Sequence, residues 1–143
     1  MVSSTVIERY FKKDGSFLGC FPHDRLPTLP RQFPKTMIIN THDSSQGGEH
    51  WLALILTKNK CFYFDSFGLP IINKNIASYL NKYYKVVSYS NVCIQHITSV
   101  KCGEFCVAFI KNVRSKNDYE QFLSHFNSLK LKVNDYIVGF MLK

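Results

Sequence analysis

Cys102 opens the run Cys102-Gly103-Glu104-Phe105-Cys106, seven residues after Gln95, and two further segments lie upstream: Gly47-Gly48-Glu49-His50-Trp51 and Phe62-Tyr63-Phe64-Asp65-Ser66-Phe67-Gly68. A thiol, an imidazole, a carboxylate and a carboxamide are the groups that nucleophilic attack on a peptide carbonyl requires. They supply the nucleophile, its base, the acceptor that orients the base, and a donor for the oxyanion. A free cysteine is largely protonated at neutral pH, so Cys102 needs activation. The apolar run that follows it fits a buried helix, with Ser99 as a candidate cap. Cys102 would then lie in the first turn, where unsatisfied amides and the positive end of the helix dipole favour an anionic sulfur.

His50 heads the nearly continuous apolar stretch His50-Trp51-Leu52-Ala53-Leu54-Ile55-Leu56-Thr57, which reads as a buried strand. Asp65 ends a second strand-like run from Lys60, with Thr57-Lys58-Asn59-Lys60 as the hairpin turn between them. Counted back from that turn, His50 and Asp65 come to similar heights on adjacent antiparallel strands, so the carboxylate can hold the ring in one tautomer. Gln95 would offer its NH2 to the oxyanion, and the Cys102 backbone N–H would be the second donor. Taken singly, Cys102 fits an inert buried thiol, His50 a core histidine, Asp65 a turn residue and Gln95 a surface amide. Their joint spacing is what points to a site. His42, beside Asp43, lacks the tryptophan neighbour of His50 and is the weaker base, and Cys106, one helical turn beyond Cys102, reads as packing. Cysteine and histidine spacing shows no set of four zinc ligands.

The combination Gly-Gly-x-His-Trp, an acid in Phe-acid-x-Phe-Gly, and Gln followed seven residues later by Cys-Gly-x-Phe-Cys resembles the adenovirus protease (adenain) family of cysteine endopeptidases, of the kind also carried by Polinton (Maverick) transposons. Phe17-Leu18-Gly19 and Ile38-Ile39-Asn40-Thr41 extend the likeness upstream. The resemblance implies a thiol endopeptidase that processes viral or transposon structural precursors, cutting after small residues with glycine near the scissile bond. It implies that Gly48, Glu49 and Trp51 border the substrate groove, Trp51 while also fitting the core, that no cofactor enters the chemistry, and that DNA or an activating peptide can stimulate turnover. Cys93 lies only two residues before Gln95, so a peptide-linked disulfide does not carry over directly. The chain also has little sequence between Asp65 and Gln95 and a brief region after the Cys102 helix. Phe64-Asp65-Ser66 is similar to the Tyr-Asp-Ser of ubiquitin-like-modifier proteases, which keeps deconjugation of such a modifier open as an alternative. A nucleic-acid-binding protein with a vestigial site is the third reading.

With 143 residues, 45% of them hydrophobic, the chain is expected to form one domain, 1–143, around one core. Glu8, Arg9, Lys12, Lys13 and Asp14 interrupt the first residues, so neither a signal peptide nor a membrane span is expected. Five cysteines, an odd number, suit reduced thiols. Together these point to a monomer in the virion or the host nucleus or cytoplasm, not a secreted protein. The formal net charge is +8, and Lys82, Lys85, Lys111, Arg114, Lys116, Lys130 and Lys132 are candidates for a basic, DNA-binding face. The expected fold is α+β, a mixed and mostly antiparallel sheet packed by helices, with the nucleophile at the N-terminus of a central helix. Helices are expected over 3–12, 73–83 and 117–128 besides the one that follows Cys102, strands over 36–41, 50–57, 61–66 and 85–89, an irregular segment over 21–34, and a terminal apolar segment from 134.

Overall fold

A computed structural model describes residues 1–42 and 50–143. Its described residues form a five-stranded sheet in sequential order, β1 (Phe17–Pro22), β2 (Lys35–Asn40), β3 (Trp51–Leu56), β4 (Lys60–Phe64) and β5 (Val86–Tyr89). The pairings of β2 with β3 and of β3 with β4 are antiparallel, whereas both outer pairings, β1 with β2 and β4 with β5, are parallel. The sheet is therefore mixed, with its antiparallel part at the centre.

All six residues of β3 are buried. Their alternation explains why the run is apolar throughout, because successive side chains point to opposite faces. Trp51, Ala53 and Ile55 enter one core cluster, and Leu52, Leu54 and Leu56 enter the other. The first cluster is completed by α1 (Ser4–Arg9), α3 (Cys102–Asn112), α4 (Lys116–Ser124) and α5 (Asn134–Met141). The second is completed by α2 (Lys74–Tyr83) and by Leu26, Leu29 and Phe33 of the segment between β1 and β2. The result is a sheet covered on both faces.

Eight of the eleven residues of α3 are buried, which makes it the central helix. Phe109 stacks on Phe64 of β4 with centroids 4.4 Å apart, and Phe122 meets both rings edge-on at 6.0 Å. Gly103 lets the helix start come close to its neighbours, since a Cβ there would stand 2.3 Å from Val2 Cγ1 and 3.1 Å from Trp51 Cδ1.

The expected elements are present with shifted ends. The helix near the N-terminus is shorter than 3–12, α4 stops at Ser124 before Phe126, and β4 stops at Phe64, leaving Asp65 in a turn. β1 was not expected. It is half-buried along its whole length, carries Gly19 at φ 133°, and its pairing with β2 is irregular between Phe17 and Cys20, so it lacks the alternation that marks a strand in sequence. Ser99 does not cap α3. The capping position is Lys101, which makes no side-chain cap bond, while Ser99 Oγ accepts from the Lys101 N–H at 3.1 Å and donates to Asp135 Oδ1 at 2.7 Å. Among the described residues no helix is long and apolar enough to cross a membrane.

Gly68 closes the turn after β4 with φ 73°, and a Cβ there would lie 2.7 Å from the backbone at Val92 and Cys93. Gly68→Ala is expected to cost about 3 kcal/mol or more, from left-handed strain plus overlap with backbone that cannot rotate away. Gly139→Ala, in α5 with nothing within 4 Å, should instead stabilise by about 0.5–1 kcal/mol. Urea denaturation of the two variants checks both signs.

Candidate active site

The site is assembled at one end of the sheet, where β3 begins, β4 ends and α3 starts. Thr41 N–H donates to the His50 carbonyl at 3.0 Å, which adds a rung to the β2–β3 ladder and fixes the histidine backbone just ahead of Trp51. Asp65 follows the last residue of β4 and opens a turn in which Gly68 N–H donates to its carbonyl at 2.8 Å. Asp65 Oδ1 accepts from Phe67 N–H at 2.8 Å and lies 2.9 Å from His50 Nε2. The Phe67 ring stacks on the imidazole with centroids 5.0 Å apart. The carboxylate is thus held by its own turn before it meets the ring.

The Cys102 thiol lies within hydrogen-bonding reach of His50. Because Nε2 is engaged by Asp65, Nδ1 is the nitrogen left to face the sulfur. Burial by itself favours the neutral ring, but the hydrogen bonds to Asp65 and Cys102 and the electrostatic pull of those two groups outweigh it, and the His50 pKa rises from 6.5 to about 9. The histidine is thereby suited to hold the proton that the thiol gives up. Burial, with Glu8 in addition at half-buried Cys20, pushes Cys20 and Cys61 up to about 12, and burial raises fully enclosed Cys106 well above its usual value. Cys106 Sγ lies 3.3 Å from the Trp51 carbonyl, in keeping with a packing role.

Gln95 is 1% exposed. Its Oε1 accepts a short hydrogen bond from Ser66 Oγ, and its Nε2 donates to the Ser99 carbonyl at 3.0 Å. Nε2 carries two hydrogens, so one donor is left after Ser99 takes the other. The backbone here is also clamped: Ile94 and Gln95 N–H groups both donate to the Ser66 carbonyl, at 2.9 and 3.1 Å. From the other side, buried Asn134 of α5 donates through Nδ2 to the Ile94 carbonyl at 2.8 Å. At α3, the absence of a side-chain cap leaves the first-turn amides, Cys102 N–H among them, without a capping acceptor.

His50, Asp65 and Cys102 are therefore brought into contact, and Gln95 is anchored to the turn that carries Asp65 and to the loop that leads into Cys102. Trp51, expected to pack in the core as well as border the groove, is buried, with its indole N–H donating to the Val2 carbonyl at 3.1 Å. Gly47, Gly48, Glu49 and Asp43 lie outside the described residues. Sequence reasoning missed Ser66 and Asn134 as site supports. Ser66 was adjacent to a chosen residue, but nothing in sequence marks Asn134 as reaching across to Ile94. Of the candidate basic residues, Lys82 belongs to α2, on the opposite side of the sheet from α3 and α4, which carry Lys111 and Lys116.

Residues 17–137 match the adenovirus endoprotease family. The chain belongs to that family. Similar curated proteins are the protease of snake adenovirus serotype 1, 28% identical over 71% of this chain, and that of bovine adenovirus 7, 37% identical over 70%. The chain spans 58% and 50% of the length of those two proteases. Among solved structures, the ASFV pS273R protease is similar at 17% identity and a TM-score of 0.48, covering 97% of this chain and 64% of that one. Membership in the endoprotease family accords with the site geometry, in which a thiol, an imidazole and a carboxylate stand in series.

The raised His50 pKa has a sign that can be checked. A histidine held above its unfolded value of 6.5 contributes stability that is fully present below about 6.5 and is lost as pH rises through about 9. Unfolding free energy should fall over that window in the parent and be flatter in His50→Ala. An imidazole NMR titration of His50 should show a midpoint near 9, lowered both by Asp65→Asn and by Cys102→Ala.

Proposed function

We propose that this chain is a cysteine endopeptidase that matures precursors of viral or transposon structural proteins, cleaving after small residues with glycine near the scissile bond. The observation that carries the reading is the 2.9 Å contact of His50 Nε2 with Asp65 Oδ1, with the Cys102 thiol at the same imidazole. Family membership supports peptide-bond hydrolysis as the use of that arrangement.

In this mechanism Cys102 Sγ passes its proton to His50 and bonds to the carbonyl carbon, driving the carbonyl electrons onto oxygen. The oxyanion is met by Gln95 Nε2 and the Cys102 N–H. As the C–N bond breaks, His50 returns the proton to the leaving amine and a thioester remains on Cys102. Water then attacks the thioester, giving its proton to His50, and the C–S bond breaks to release the acid and the thiol. Asp65 keeps the ring oriented and stabilises its protonated form throughout. The chemistry uses only groups of the chain.

The test is a peptide carrying an internal Gly-Gly sequence, incubated with the pure protein at neutral pH with and without DNA. Cys102→Ala should abolish cleavage. His50→Ala should lower it by about 10²–10⁴-fold, and Gln95→Ala by about 10²–10³-fold. Full activity in Cys102→Ala would refute the assignment. Strong preference for a folded ubiquitin-like modifier fused at its C-terminal Gly-Gly would redirect the reading to deconjugation, and salt-sensitive DNA binding with an inert Cys102 would redirect it to a vestigial site.

A further inference from the structure

We propose that Ser66 is a positioning residue for the oxyanion donor, acting through Gln95 and not through the Asp65–His50 pair beside it. The inference rests on the cysteine-protease reading and concerns one hydroxyl within it. Ser66 is fully buried and donates its Oγ hydrogen to Gln95 Oε1 in a short hydrogen bond. The far end of the same carboxamide is defined independently, because the Ser99 carbonyl can only accept and therefore faces Nε2, at 3.0 Å. With the hydrogen-bond acceptor of the carboxamide held by Ser66 and one of its donors held by Ser99, the plane of the amide and the direction of its remaining N–H are set. The Ser66 hydroxyl is directed at Gln95, whereas Asp65 is held by Phe67 N–H and by the imidazole.

Ser66 also contributes through its backbone, since its carbonyl accepts from Ile94 and Gln95 N–H. That contribution survives removal of the side chain. Ser66→Ala therefore isolates the hydroxyl: the loop stays docked, while Gln95 Oε1 loses its buried donor and the amide is free to turn toward another partner.

Two reactions at Cys102 separate this role from a merely structural one. Acylation by N-acetylglycine p-nitrophenyl ester bonds Sγ to the carbonyl carbon, expels p-nitrophenolate and passes through a tetrahedral oxyanion. Alkylation by iodoacetamide bonds Sγ to a methylene carbon and expels iodide without forming one. Both rates are followed by mass spectrometry of the intact full chain with the adduct mapped to Cys102. Ser66→Ala is expected to slow acylation by about tenfold or more, as a misdirected oxyanion donor should, while alkylation stays within about twofold. Ser66→Cys, close in size and a weaker donor, should fall between serine and alanine, which keeps the comparison available if the alanine variant folds poorly. Added to Gln95→Ala, the Ser66→Ala change should slow acylation no further.

An unchanged ratio of acylation to alkylation in Ser66→Ala would overturn the proposal. So would an equal fall in both rates, which would assign Ser66 to the histidine pair or to the fold. If the unsubstituted protein is acylated no faster at Cys102 than at exposed Cys93, or if Gln95→Ala leaves the ratio unchanged, the underlying reading of the site fails as well.

Discussion

The turn from Asp65 to Gly68 is the constraint on which the rest of the site depends. Its carboxylate holds the imidazole, its serine carbonyl takes two consecutive N–H groups from Ile94 and Gln95, and its glycine leaves no Cβ between the turn and the backbone of Val92 and Cys93. Asp65, which contacts His50, and the segment that carries Gln95 are thus docked on one turn. The α2 helix and β5 between them carry the chain back to this docking point, α2 burying Ile76 and Leu80 and β5 pairing with β4 on the way.

The nucleophile is set by a different kind of constraint. α3 is buried almost all round and pressed on β3 and β4 through Phe109 and Phe64, so the position of its first residue follows from core packing, not from a loop. Burial pushes the Cys61 thiol up to about 12 and raises Cys106 well above its usual value. Cys102 is also buried, and His50 is its partner. An uncapped helix start ordinarily sacrifices some stability. In the proposed mechanism the same feature leaves the Cys102 N–H for the oxyanion.

α5 reaches back to the site from the end of the chain. Asn134 takes the carbonyl before Gln95, and Asp135 takes the hydroxyl of Ser99, whose carbonyl in turn holds the Gln95 amide. The loop into Cys102 is therefore gripped by the turn after β4 on one side and by a terminal helix on the other. Each grip uses buried polar groups that are costly to leave unpaired, which makes the loop conformation strongly specified.

Sequence alone singled out His50, Asp65, Gln95 and Cys102 as a candidate chemical set, because residue type and spacing are local properties and the four proposed roles demand those types. It also determined the buried strand at 51–56, whose unbroken apolar run can only belong to a strand or helix covered on both faces, and the helix after Cys102. Tertiary structure decided what local pattern could not carry. β1 is a strand because β2 pairs with it, not because its residues alternate, and both outer pairings are parallel because of how the chain returns to the sheet. Ser99 is drawn to Asp135 instead of capping α3, and the lysines of α2 and α3 fall on opposite faces. Ser66 and Asn134 acquire their meaning only when segments far apart in sequence are folded together. Hydrogen bonds across such separations leave no periodicity in a chain, and so the supports of the site became visible only in three dimensions.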